Sequence, residues 1–454
     1  MIAKGLFSDK DFYKKMIYIA LPISLQNLIS SSLNMVDTVM IGQLGETPIA
    51  AVGIANQLFF FFSLLLFGLN SGSAIFISQY WGKRDITNIR RVLGFAIGSG
   101  VSLALIFTLA ALIIPKGILS LFTNDPTVIE LGSQYLVIIC FSYIITAITF
   151  SYAFACRSIG KAKLPMIVSA TSLGLNTLLN YILIFGNFGF PSLGIRGAAI
   201  ATLIARIVEA VFLISVIYYK GFVLNAKIKE MFELSKDFIS RILKTTTPVI
   251  LNEAFWALGT ITYSAVYGRI STEAFASVQI SNTVQQVFMV VSMGIGNACS
   301  VMIGNNIGAG EEELAEDYAR RFSILTPIIG IIIGILIVAF SPVILSFFDV
   351  SDIVRSNVEK ILIIFAIFMA FKVFNTTLIV GTLRGGGDTT FSLFLEAGSV
   401  WTVGVPMAII GGHVLHLDVY LVVALVSLEE VVKSIIGIPR IISKKWIKNV
   451  IEDI

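Results

Sequence analysis

The sequence predicts an all-α polytopic membrane protein, with twelve transmembrane helices in two six-helix bundles related by a pseudo-two-fold axis along the membrane normal. Composition, the number of apolar runs and an internal repeat support this prediction. Of the 454 residues, 56% are hydrophobic and 13% are charged, whereas soluble proteins carry about 25% charged residues. So few charges cannot cover a water-exposed surface, which excludes a soluble enzyme, a disordered chain and a nucleic-acid-binding domain.

Twelve apolar runs are long enough to cross a bilayer, which takes about 20 residues in a helix. Gly, Pro, Asn, Asp or charged residues stand at the breaks between them, as helix ends require. The predicted spans are 16–41, 49–80, 92–114, 130–156, 164–186, 196–218, 242–268, 276–305, 322–347, 358–383, 390–411 and 418–438. The first run is too long for the core of a signal peptide, so we interpret it as an uncleaved span.

The basic residues predict the orientation. With an even number of spans, both termini lie on the same side of the membrane, and that side carries 23 of the 32 Lys and Arg residues. The loops on the other side carry four. Because cytoplasmic loops are enriched in basic residues, we expect both termini in the cytoplasm and the chain in the plasma (cytoplasmic) membrane, which is the cell inner membrane where there are two.

An internal repeat relates the two halves. At an offset of 226 or 227 residues the aligned pairs include Pro22 with Pro248, Gly42 with Gly268, Asn56 with Asn282, Gly68 with Gly294, and Arg157 with Arg384. Each half holds six spans, so both enter the membrane in the same orientation. We therefore expect an N-terminal six-helix bundle at 1–218, a cytoplasmic linker at 219–241 and a C-terminal six-helix bundle at 242–454. A cleft between two such bundles permits alternating access.

Residues for enzyme chemistry are scarce. The three cysteines, Cys140, Cys156 and Cys299, lie in apolar runs without metal-ligand spacing, and the two histidines share one short loop. Small core residues are the expected role of such cysteines. The sequence also lacks a phosphate-binding Gly-rich loop ending in Lys-Ser/Thr. We expect neither an enzyme, nor an ATP-driven pump, nor a cofactor.

Five stretches carry a resemblance to a known family. They are Pro22–Gly42 with its Asn-Met-Val-Asp-Thr motif, Asn176–Gly186, Ala199–Arg206, Pro248–Glu253 and Leu383–Thr390. In this order and spacing the chain resembles the multidrug and toxic compound extrusion (MATE) family, in particular its bacterial NorM-like branch, over nearly its whole length. The resemblance implies two six-helix bundles and antiport of organic cations and other drugs against sodium ions or protons.

Four oxygen-bearing residues of the first half are candidates for an ion site. Asp37 lies about 6 Å below the predicted outer end of span 1, and Asn180 and Thr202 lie about 9 Å below the same level on spans 5 and 6. Asn176 is one turn from Asn180 on the same face. Hard cations such as Na⁺ take these oxygens as ligands, and a carboxylate at this depth can also hold a proton. The resemblance places the family's N-terminal ion site on these four residues.

The choice between the two ions stays open, because some family members have a second carboxylate where this chain has Asn180. A helix–helix hydrogen bond is the alternative role for the two asparagines and Thr202.

The second half offers Glu253, Lys372 and Glu396. Glu253 and Lys372 lie at matching depths of about 16 Å and about 17 Å above the cytoplasmic end, so an ion pair between them is expected. Glu253 resembles an acidic residue of NorM-type members, whose partner carboxylate would fall near Val373. This sequence instead has Lys372 and Asn375 there, which argues against a two-carboxylate sodium site. The pair would act as a proton-linked switch, as a mimic of a drug cation, or structurally.

Further charged and proline residues have predicted roles. Arg206 and Glu209 are spaced for a local pair, and Glu429, Glu430 and Lys433 are interpreted as structural charges. Arg157 and Arg384 are expected to act as hinge or anchoring residues. Pro22 and Pro248 each remove a backbone hydrogen bond from the first helix of a half, so we predict a kink and a conformational hinge at both.

These observations predict a secondary active multidrug efflux transporter, which exports organic and often cationic compounds in exchange for H⁺ or Na⁺ by alternating access. The alternative is a lipid-linked oligosaccharide flippase of the same superfamily, which would have a more basic cavity. We expect small-molecule drugs or lipophilic cations as substrates, the lipid bilayer as surroundings, no nucleic-acid partner and a monomer.

Overall fold

The computed structural model describes residues 9–346 and 350–452, except for the side chain of Asn34. Nearly all of this part of the chain is helical, and its only β-type pairing is an isolated bridge between Gly387 and Ile447. The predicted all-α fold is confirmed.

The described residues of the first half form nine α-helices. They are α1 (Lys10–Gly42), α2 (Glu46–Lys83), α3 (Ile86–Ile113), α4 (Pro115–Ser120), α5 (Pro126–Ile139), α6 (Phe141–Ser158), α7 (Lys163–Phe185), α8 (Gly194–Tyr219) and α9 (Ile228–Met231). Helices α5 and α6 meet at a bend of 47° and together correspond to the fourth predicted span. A 3₁₀ turn at Asn187–Gly189 follows α7.

In the described part of the second half there are seven α-helices and three π-helical segments. The α-helices are α10 (Lys236–Ile270), α11 (Thr272–Gly308), α12 (Glu312–Leu345), α13 (Asp352–Thr376), α14 (Thr389–Ser399), α15 (Val405–Ile409) and α16 (Val419–Ile442). The π-helical segments Thr377–Leu383, Val400–Gly404 and Ile410–Val414 extend α13 and join and extend α14 and α15.

The predicted spans fall on these helices to within one residue, except that residue 347, the predicted end of the ninth span, lies outside the described residues. In the described ranges, nine helical segments are long and apolar enough to cross a membrane, or ten with the bent α5–α6 pair. The two spans that fall short of this criterion are α10, which carries the adjacent polar residues Asn252 and Glu253, and α16, which carries three charges in one turn and a half. Polar residues inside a span are the physical reason that hydropathy alone undercounts here.

Polar side chains cap several helices at the predicted breaks. The Asp125 carboxylate accepts a hydrogen bond from the Thr127 N–H at 2.8 Å, and Asp85 accepts one from Asn88 at 3.0 Å. Ser271 and Ser351 cap α11 and α13 in the same way. Each cap satisfies a backbone donor that the first turn of a helix leaves unpaired.

The chain packs as two compact units. The first unit contains residues up to Ser24, residues 78–84 and residues from 244 onward, and the second contains residues 25–77 and 85–243. Helix α1 is therefore divided between the units just after Pro22. The division into bundles at 1–218 and 242–454 stays a prediction.

Close approach at two glycines explains how segments of α1 and α2 pack within the first unit. A Cβ atom on Gly294 of α11 would lie 2.7 Å from the carbonyl oxygen of Ala20 and would overlap the Ser24 side chain. A Cβ on Gly308 would overlap the carbonyl of Gln79 on α2. Only glycine leaves room for this backbone contact.

The three cysteines are free and buried, as predicted. Cys299 lies beside Thr382, with 3.7 Å between its sulfur and the hydroxyl oxygen. They are core residues of the helical packing.

Candidate functional site

The four residues predicted as an ion site form one hydrogen-bonded chain in the second unit. The Asn180 amide donates to the Asp37 carboxylate at 2.5 Å and to the Asn176 side-chain oxygen at 3.1 Å. The Asn176 amide in turn donates to the Thr202 hydroxyl at 3.2 Å. The structure thus brings together every residue of this predicted set.

Three helices position this chain. Asp37 lies just over one turn before α1 ends at Gly42, and the two asparagines lie one turn apart on α7. Helix α8 approaches α7 closely because Gly197 leaves room for the Leu183 carbonyl. Both asparagine side chains are fully buried, whereas Asp37 and Thr202 stay partly exposed. An ion can therefore reach the carboxylate while the amides hold its position.

At least one oxygen atom of the site accepts no hydrogen bond from the described residues and is available as a ligand. The Asn180 side-chain oxygen is buried and has no hydrogen-bond partner in the described part of the chain. A buried polar atom without a partner is costly, and oxygen atoms of this kind are suitable ligands for a hard cation. No group of three or more His, Cys, Asp or Glu side chains that could hold a metal ion occurs among the described residues. The arrangement suits a weakly held monovalent ion or a proton.

A second hydrogen-bonded chain of the same unit involves residues that were predicted to have other roles or for which no role was predicted. Arg157 of α6 donates to Gln26 of α1 at 2.7 Å, and Gln26 donates to Ser169 of α7 at 3.1 Å. Ser169 then donates to Glu209 of α8 at 2.9 Å. Glu209 also forms the predicted local pair with Arg206, at 2.8 Å.

The expected pair of Glu253 with Lys372 does not form. Glu253 instead accepts a hydrogen bond from Arg384 at 2.7 Å, and Arg384 also lies 3.8 Å from Glu396. The Asn252 amide donates to the same Glu396 carboxylate. Helix rise fixed the depths of Glu253 and Lys372, but depth does not decide which neighbour each side chain faces. Arg384, expected as a hinge or anchor, is buried between two acids.

Lys372 contacts an amide instead of an acid. Its ammonium group donates to the Gln285 side-chain oxygen of α11 at 2.6 Å and lies over the Phe365 ring. No carboxylate oxygen of the described residues lies within 4 Å of it. The charges on α16 pair locally, with Lys433 lying 3.3 Å from Glu429 and 3.6 Å from Glu430.

The internal repeat contained a signal for the residues that sequence reasoning missed. At its offset Gln26 aligns with Asn252, and Ser169 aligns with Glu396, just as Arg157 aligns with Arg384. Both units therefore build a polar junction from equivalent positions on three helices. Combining the repeat with the buried polar side chains of each half would have indicated both junctions.

Comparisons with known proteins identify relatives of this chain. The sequence profile of a family described as MatE matches residues 22–182 and again residues 248–410. The two matches begin at Pro22 and Pro248, the residues that open the aligned halves of the internal repeat.

Individual relatives match over most of their length. A probable multidrug resistance protein NorM of Thermotoga maritima is 26% identical over 453 residues, covering 96% of this chain and 94% of the relative. A probable multidrug resistance protein YoeA of Bacillus subtilis is 26% identical over 418 residues, covering 91% and 89%. A solved mutant of the MATE transporter VcmN of Vibrio cholerae superposes with a TM-score of 0.87 at 20% identity, covering 96% and 98%. This likeness shows the fold of twelve helices in two bundles.

Proposed function

Because the chain belongs to the MatE family of multidrug efflux transporters, we propose that it exports organic, often cationic, compounds in exchange for H⁺ or Na⁺. Members of this family are transporters and not enzymes, and they need no cofactor. The observation that carries the exchange proposal is the hydrogen-bonded chain from Asp37 through Asn180 and Asn176 to Thr202.

Asp37 is the coupling residue in this proposal. Its carboxylate is the one acidic group among these four hydrogen-bonded residues, and an incoming proton or sodium ion would neutralise it. Neutralisation would weaken the hydrogen bond from Asn180, since a charged acceptor binds a donor more strongly than a neutral one. Binding of the ion would thereby weaken the hydrogen-bonded contact between α1 and α7.

Helix α1 would transmit this change. Pro22 lies within α1 and Pro248 lies within α10, the equivalent helix of the second half. A helix bends most readily where proline removes a backbone hydrogen bond. We propose that Pro22 and Pro248 are hinges of alternating access, and that release of Asp37 changes the bend of α1. Full transport by Pro22→Ala would contradict the hinge.

The second unit would hold the coupling ion, and the C-terminal acids would serve another role. Glu253 and Glu396 already share the guanidinium of Arg384. A resident cation opposes binding of a second one, so Glu253, Lys372 and Glu396 are proposed to shape the substrate path and not to hold Na⁺.

We further propose a monomer in the plasma membrane with both termini in the cytoplasm and two bundles at 1–218 and 242–454.

Transport by reconstituted protein tests the proposal. Liposomes containing wild type, Asp37→Asn or the control Asp125→Asn would be loaded with a fluorescent lipophilic cation, and a proton or sodium gradient imposed separately. Asp125 only caps α5, so its variant should keep gradient-driven transport, whereas Asp37→Asn should lose it. The gradient that drives transport names the ion. Folded wild type that transports under neither gradient would contradict the proposal and favour a lipid-linked oligosaccharide flippase.

A further inference from the structure

Arg157 is a buried cation with few partners. It lies at the end of α6 with 9% of its surface exposed. Its guanidinium donates one hydrogen bond within the described chain, to Gln26 at 2.7 Å, and stacks 5.0 Å from the centre of the Phe154 ring. The buried Nε atom has no hydrogen-bond partner among the described residues. A guanidinium has five N–H donors, so most of its capacity is unused.

No acid of the described residues forms an ion pair with this charge. Among the described residues no carboxylate oxygen lies within 4 Å of the Arg157 guanidinium. The acid nearest along its hydrogen bonds is Glu209, which is reached only through Gln26 and Ser169 and already pairs with Arg206 at 2.8 Å. Buried charges in proteins are normally paired because burial without a partner is costly.

The internal repeat provides a reference for this arrangement. Arg384, at the equivalent position of the other half, has Glu253 at 2.7 Å and Glu396 at 3.8 Å. The residues that align with these two acids are Asn27 and Ser169, which are uncharged. One copy of the junction therefore contains its own anions and the other copy lacks them.

From this difference we propose that Arg157 binds the carboxylate of an organic anion, which the chain exports in addition to cations. The Phe154 ring that lies against the guanidinium belongs to an aromatic cluster, with the Phe67 and Phe150 ring centroids 5.6 Å and 6.3 Å from its own. An aromatic carboxylate matches both the positive charge of Arg157 and this aromatic cluster. Gln26 lies roughly 16 Å along α1 from Asp37, so this site is distinct from the ion site. Only the export step rests on the proposed function.

Equilibrium binding tests the site without a gradient. Full-length protein in phosphatidylcholine nanodiscs would be dialysed against 2-naphthoate or against its uncharged analogue 2-naphthamide. Wild type should bind naphthoate at least tenfold more tightly than naphthamide, and Arg157→Gln should bind the two about equally. Lys161→Gln removes an exposed positive charge at the same end of the bundle and should keep the preference. Equal affinities in wild type, or loss of the preference in Lys161→Gln as well, would overturn the proposal.

Gln26→Glu provides a second variant that does not remove the arginine. It places a carboxylate within reach of the Arg157 guanidinium, so the site then contains its own counter-ion. We expect this protein to lose the naphthoate preference while unfolding at the same temperature as wild type or a higher one. Retention of the preference would show that naphthoate binds elsewhere and overturn the proposal.

The two proposals fail in different ways. Protein that exports cations through Asp37 but shows no naphthoate preference would overturn the anion site alone. Protein that binds naphthoate through Arg157 but moves no substrate under either gradient would overturn the proposed antiport, and the export step with it, but not the anion site.

Discussion

The amide nitrogen of Asn180 lies 2.5 Å from the carboxylate oxygen of Asp37 and joins α7 to α1 at the candidate ion site. A hydrogen bond to a charged group contributes about 1.5–3 kcal/mol. Because this bond favours the charged, unoccupied carboxylate, we predict that Asn180→Ala raises the apparent affinity for protons about tenfold or more, as measured by transport rates at stepped pH in proteoliposomes.

The control for this variant is Thr177→Ala on the same helix. The Thr177 hydroxyl donates only to the backbone oxygen of Leu173, so its loss should leave the ion dependence unchanged. An unchanged ion affinity in Asn180→Ala would show that Asn180 is not part of the ion site.

Arg384 should contribute strongly to stability. Arg384→Gln removes a buried cation from the partly buried acids Glu253 and Glu396, and removing one partner of a buried pair costs about 3–5 kcal/mol. We expect a clearly lower unfolding temperature in detergent, and partial recovery when Glu253→Gln is added. Arg320→Gln breaks an exposed pair with Asp317 and should change stability by less than about 1 kcal/mol. Equal effects of the two arginine variants would contradict the role of Arg384.

Lys372 should influence which substrate charge the transporter prefers. Its ammonium contacts the neutral Gln285 side chain, so its positive charge opposes an organic cation bound nearby. Lys372→Met should lower the Michaelis constant for a cationic dye about three- to tenfold, which corresponds to about 0.6–1.4 kcal/mol of relieved repulsion, and leave an uncharged dye unaffected. Lys360→Met, which removes an exposed charge from the same helix, is the control. An equal fall in the Michaelis constant for the uncharged dye would show that the substitution acts through the shape of the binding site and not through its charge.

Gly294 should be sensitive to a single methyl group. Gly294→Ala would place a Cβ atom 2.7 Å from the Ala20 carbonyl oxygen, and such overpacking costs about 1–3 kcal/mol. Gly398→Ala in α14 is a matched control, because a Cβ there meets nothing within 4 Å and alanine favours a helix. Thermal unfolding should separate the two variants, and equal unfolding temperatures would show that α1 and α11 can move apart without cost.

The sequence predicted the parts that depend on helix periodicity and missed those that depend on which helices are neighbours. Asn176 and Asn180 lie one turn apart, so the periodicity of the α-helix predicted that they share a face. The rise per residue of a helix predicted that they lie at a similar membrane depth to Asp37. The partner of Glu253 could not be found this way, because two residues at one depth can face different neighbours. Arg384 also lies directly after a π-helical segment, where the turn of an α-helix no longer gives the direction of a side chain.

The division of α1 between the two units has a consequence for fragment experiments. The unit that contains most of the C-terminal half also includes the chain up to Ser24 and residues 78–84. Cleavage in the segment near 219–241 would leave those two stretches covalently attached to the other fragment. A C-terminal fragment expressed alone would lack part of its own packing surface. Co-expressed halves should therefore become stable only after they associate.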